Sequence, residues 1–151
     1  MSIVLSNCIP ASTERGIALV CQFESEMRKL PQLKVTTWHT IHAGIYTRTI
    51  LIPAGAGITG ALIKVATTLV VNGHCMVFVG EDSREIAGHC VLPAAGLRKQ
   101  AFVALQDTWL TMMFKTDAKT VEEAEQEFTD DYEILASRLD DAVNEIIITE
   151  V

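Results

Sequence analysis

From Leu33 to Phe114 the chain reads as short runs of Val, Ile, Thr and aromatic residues, each cut by Gly, Pro, Asn or Asp. Such runs are strands, because β-branched and aromatic side chains pack well on a pleated surface. The spacing predicts strands near 33–38, 45–52, 58–65, 67–72, 74–79, 84–87, 89–92, 100–105 and 108–115. Turns fall at Pro53-Ala-Gly55, Asn72-Gly73, Gly80-Glu-Asp82, Pro93 to Gly96 and Gln106-Asp107. Asn72-Gly73 is the sharpest hairpin signal among them. No helical pattern interrupts the series, which argues against a parallel α/β sheet and for a sandwich or barrel.

Helical patterns flank this block. Over 12–30, Gly16, Val20, Phe23, Met27 and Leu30 recur at helical spacing. Ser12 or Thr13 caps the segment, Glu14 suits its first turn, and Pro31 ends it. Thr120-Val-Glu-Glu123 fits a capping box opening a helix to about Phe128. A second helix is expected from Asp130 to about Val143, with Ile134, Leu135, Arg138, Leu139 and Val143 as its seam. Ile146-Ile-Ile-Thr149 is β-branched and sticky, so it is expected to join a sheet in this chain or a neighbour. The expected organisation is one domain over 1–151: an N-terminal arm and helix (1–32), a β-barrel (33–115) and an acidic helical tail with a terminal strand (116–151).

Charge narrows the function classes. The net charge is -7, and the stretch from Thr116 to Val151 holds 12 Asp and Glu against Lys119 and Arg138. Nucleic-acid binding wants a basic face, so it is not expected. The most apolar stretch, Ala61 to Val71, is broken by Lys64 and two threonines and falls short of a membrane span. Met1 to Pro10 lacks the pattern of a secretory signal, so a cytoplasmic location is expected. Cys8, Cys21, Cys75 and Cys90 form no C-x-x-C pair and read as small buried thiols rather than a zinc site.

Several phrases resemble the cupin superfamily. Ile52-Pro-Ala-Gly55 is similar to the turn before the first cupin motif. Gly88-His-Cys-Val-Leu-Pro93-Ala-Ala-Gly96 is similar to the second motif, and Thr108-Trp-Leu-Thr-Met-Met-Phe114 to a closing strand. The stretches His42 to Ile50, Arg98 to Phe102 and Thr120 to Phe128 resemble small cupin-like proteins of tailed bacteriophages and prophages. The resemblance implies a mainly β, jelly-roll fold (a double-stranded β-helix). It also implies a phage setting: host cytoplasm or virion, with other phage structural proteins as partners. Metal-binding cupins direct three histidines and a glutamate inward. Here the matching positions fall around Ala61, Leu62, Ile63, Lys64 and Lys99, which cannot replace imidazoles and a carboxylate. No metal, no cofactor and no catalytic residue is therefore expected.

Other candidate sites have two readings each. His39 and His42 are three apart, which on a strand sends them to opposite faces. Either is a ligand or proton carrier at the barrel mouth, or a hydrogen-bonded histidine near a strand start, and the second reading is favoured. Tyr46 and Arg48 share a face. Together with His42, Lys64, Arg98 and Lys99 they are the candidate ligand-binding set, a pocket for a phosphate or carboxylate. The competing reading makes these cations surface groups that pair with the acidic tail. No Walker loop, nucleophile elbow or dinucleotide fingerprint is present. The expected function is a non-catalytic virion or assembly protein acting as a homo-oligomer, at least a dimer. The alternative is an anion binder or a metal-free enzyme using Tyr46 and His42 as acid and base.

Overall fold

The computed structural model describes residues 8–150. The expectation that Met1 to Leu5 is exchanged between subunits lies outside them. Helix α1 (Glu14–Met27) starts where Thr13 Oγ1 accepts the Gly16 amide at 3.0 Å, with Glu14 in the first turn. Only Gly16 and Val20 of the expected stripe are buried. Gly16 lies against Gly80, so closely that a Cβ on Gly80 would sit 2.4 Å from the Gly16 Cα. Two glycines thus seat the helix on the sheet.

Strands β1 (Thr36–His42), β2 (Ile45–Ile52), β3 (Gly57–Thr59), β4 (Thr67–Val79), β5 (Asp82–Ala94), β6 (Ala101–Ala104), β7 (Thr108–Lys115) and β8 (Val143–Ile148) make one sheet. Its order is β3-β6-β4-β7-β2-β1-β8, with β5 also paired to β4. Every pairing is antiparallel except β1 with β8. The chain is mainly β, and its curled half-barrel is the jelly-roll form the sequence predicts.

The expected hairpin at Asn72-Gly73 is instead part of a continuous strand. β4 runs straight through Asn72-Gly73, and Gly73 faces Gly88 of β5. Gly73 is needed for space: its φ is +147°, and a Cβ there would lie 2.5 Å from the Asp107 carbonyl oxygen. The corner between β6 and β7 passes over that position, so the glycine marks a backbone crossing rather than a turn. The expected strand over 58–65 shrinks to Gly57–Thr59.

The tail also differs from expectation. Helix α2 (Val121–Phe128) forms as read, with Thr120 Oγ1 accepting the Glu123 amide. The expected helix over 130–143 does not form. Two 3₁₀ turns (Tyr132–Ile134 and Ala136–Arg138) stand there, and β8 begins at Val143. Of the proposed seam only Leu135 is buried, while Ile134, Leu139 and Val143 are exposed. Neither turn has a side-chain cap, and Ser137 and Arg138 are drawn onto Glu125 of α2. That contact favours turns over a continuous helix.

The core has two parts. One holds Ile9, Ile52, Leu69, Val71, Cys75, Val77, Ile86, Leu92 and Phe102. The other holds Ile41, Tyr46, Met112 and Phe114 of the sheet against Ala124 and Phe128 of α2 and Leu135. Replacing Gly73 by Ala is predicted to destabilise the protein by roughly 2 kcal/mol or more, because both φ and the Asp107 contact resist a Cβ. Urea unfolding of the variant checks this, and Gly88→Ala is the milder comparison because its Cβ would meet open space.

Candidate functional site

On β1, Thr37, His39 and Ile41 alternate toward the buried face. His39 stands opposite Arg48 and Ile41 opposite Tyr46, so all four side chains share that face. α2 lies over them and adds Glu125, which is 1% exposed. Its Oε2 accepts from Arg48 Nη1 at 2.9 Å and from the Ser137 hydroxyl, and its Oε1 accepts from Arg138 Nε at 2.8 Å. Arg48 Nη2 also donates to Ser137 Oγ at 3.1 Å, and Arg138 Nη1 to Glu122 at 2.9 Å. One carboxylate thus joins β2, α2 and the second 3₁₀ turn.

A second chain of hydrogen bonds fixes the protonation of His39. Asn144 of β8 donates its Nδ2 to the Ser137 carbonyl at 2.9 Å, so its Oδ1 is an acceptor. His39 Nε2 therefore donates to that Oδ1 at 2.7 Å. Nδ1 is left as a lone pair, which accepts the Tyr46 hydroxyl at 2.7 Å. Burial holds the His39 imidazole below its usual pKa, and Arg48 adds to that effect against the Asn144 bond and Glu125. Burial likewise pushes the Tyr46 phenol up. His39 is neutral, with every nitrogen used and no face open to a substrate.

The six candidate residues do not converge. Tyr46 and Arg48 join the buried network. His42 points to the opposite, exposed side, where Nδ1 lies 2.5 Å from Thr149 Oγ1. The pairing of Tyr46 with His42 as acid and base is thereby corrected: His39 is the histidine at Tyr46. Lys64 reaches Asp130 at 2.7 Å on the surface. Lys99 crosses to Glu24 of α1 at 2.9 Å and to the Gly60 carbonyl at 2.9 Å; burial raises the Glu24 pKa, but the Lys99 hydrogen bond and charge, with Thr59 and Arg28, together bring it below the usual value. Arg98 is 1% exposed and meets no carboxylate among the described residues. It donates to the carbonyls of Val65 and Ala95 and to Thr67 Oγ1. Burial pulls its pKa down to about 10.

The positions that hold metal in a cupin do not fit an ion here. Ala61, Ile63 and Val65 pack against the second core cluster, and the Lys64 and Lys99 ammoniums are spent on carboxylates. Among the described residues no three of His, Cys, Asp and Glu come together as ligands. Beside the network an open cleft of about 360 Å³ lies between α2, the second 3₁₀ turn and β8. Glu122, Arg138, Asn144, Ile146 and Ile148 line it.

Glu125, Ser137 and Asn144 were not singled out by sequence. Glu125 hides in the run Glu122 to Glu127, which reads as a solvated face. The available signal was its helical spacing: Val121, Ala124, Glu125 and Phe128 fall on one face.

No family model matches this sequence, and no curated protein matches it. Solved structures that match about half of this chain include cupin-domain proteins. One is a cupin-2 domain protein from Shewanella frigidimarina (5% identity, 62% of this chain and 91% of that one, TM-score 0.45). Another is an RmlC-like cupin from Desulfovibrio desulfuricans (14%, 54% and 82%, TM-score 0.46). A third is a cupin-2 domain from Rhodospirillum rubrum (15%, 52% and 55%, TM-score 0.43).

The buried network and the surface pair are predicted to differ sharply in what their loss costs. Glu125→Gln strands Arg48 and Arg138 beside a neutral group and is predicted to cost about 3–5 kcal/mol. Lys64→Ala removes an exposed pair and is predicted to cost under about 0.5 kcal/mol. Urea denaturation of both variants measures the contrast. For pH, the folded state binds a proton at His39 less readily than the unfolded chain does. Its contribution is therefore full above the ordinary imidazole value of 6.5 and falls as pH drops below it. Thermal melts from pH 7.5 to 5 are expected to show this loss, and His39→Gln to flatten that part of the profile.

Proposed function

We propose that this chain acts without catalysis, as an assembly or particle component of the tailed-phage kind its sequence resembles, working through contacts with copies of itself and other proteins. The observation that carries this reading is the state of the concave face. Phe114, Phe128 and Tyr46 pack there at centroid distances of 5.5 to 6.3 Å. Glu125 closes the polar part with donors from the same chain. A group that has every hydrogen bond made internally offers little to a substrate without first breaking the fold.

The second reading is an anion binder. The observation favouring it is Arg138, whose side chain lines the cleft. The cleft's own charges oppose it, since Glu122 and Glu125 already face Arg138.

Mass spectrometry of purified particles from cells carrying the gene tests the first reading. Stoichiometric recovery of the chain is the expected result. Absence from particles together with a strictly monomeric protein would overturn it. A melting-temperature rise in millimolar phosphate or citrate that Arg138→Leu abolishes would put the anion reading in its place.

A further inference from the structure

We infer that the free edge of β8 is the strand through which two copies of this chain join, antiparallel and about a twofold axis, into one continuous sheet. This rests on the assembly reading above and names its first partner. β8 ends the sheet order: among the described residues it pairs on one side only, with β1. Its other edge presents unpaired backbone donors and acceptors, which is the template for strand addition. Natural edges are usually blunted by charge, proline or a bulge. β8 has no proline, and the charge it carries is the single Glu145 ahead of three isoleucines. Its six residues are all exposed, and Ile146, Ile147 and Ile148 are 51%, 63% and 47% exposed.

The two faces of the strand suit an arriving copy. Register with β1 puts Glu145 beside Trp38 and Ile146 beside His39. Val143, Glu145 and Ile147 therefore lie on the outer face, and Asn144, Ile146 and Ile148 on the inner one. The inner set lines the cleft with Val121 and with Arg138. An added strand would set its own alternate side chains over that cleft.

A closed pair of identical chains requires an isologous contact, and at a strand edge this means β8 against β8 in antiparallel sense. The only charged residue of β8 is Glu145. With Ile146 on the axis, Glu145 of one copy stands opposite Ile147 of the other, so the two carboxylates do not meet. The net charge of -7 on each chain opposes the approach at long range. Added salt should therefore strengthen the pair.

Light scattering on the full chain, with hydrogen exchange at residues 143–148, tests the inference. The wild type is expected at twice the chain mass, with β8 amides protected in the pair and exchanging faster on dilution. Ile147→Lys, at an exposed site, is expected to keep the melting profile and to weaken the pair by at least about tenfold. Ile45→Lys, on the outer face of β2, should leave it intact. A monomeric wild type would overturn the inference. So would an oligomer that ignores Ile147→Lys, or one lost with Ile45→Lys; either would still leave the assembly reading standing. A monomer that is also missing from particles would remove both.

Discussion

Glu125 is the point on which the concave side of this protein depends. It is a carboxylate taken almost wholly out of water, which is costly unless its oxygens are matched by donors and opposite charge. Arg48, Ser137 and Arg138 supply both. Arg48 comes from β2 and Ser137 and Arg138 from the second 3₁₀ turn, so satisfying one side chain fixes α2 on the sheet and bends the tail after it. Ser137 then offers its carbonyl to Asn144, and Asn144 orients His39. The path from a single acidic residue to the placement of β8 is continuous.

The inward face of the sheet is filled by three aromatic rings and a neutralised ion cluster. The cations at the expected ligand positions are consumed locally: Lys64 by Asp130, Lys99 by Glu24. What the fold leaves unmatched lies at its margin, along β8. There the backbone and apolar side chains still have partners to gain.

The strand-rich middle, α1 and α2 were legible because period and capping are local properties of sequence. Thr13 and Thr120 cap the helices that the patterns predicted. Gly73 misled because glycine serves two purposes: in Asn-Gly it signals a turn, while here it makes room for the Asp107 backbone. The tail misled for another reason. Leu135, Arg138 and Leu139 have helical spacing, but the pull of Glu125 on Ser137 and Arg138 is a long-range effect that no local pattern carries. The same holds for the site. Tyr46 and Arg48 were visible as one face of a strand, yet the partners of Arg48 lie 77 residues or more along the chain in Glu125 and Ser137. His39 was legible as a hydrogen-bonded histidine near a strand start, and its partners were not.

The most direct test of the closed interior is the side-chain nitrogen spectrum of His39 at neutral pH. The structure requires a neutral imidazole with its proton on Nε2, slow to exchange and unmoved by added zinc or iron. A cationic ring, a proton on Nδ1 that exchanges freely, or signals displaced by either metal would contradict it.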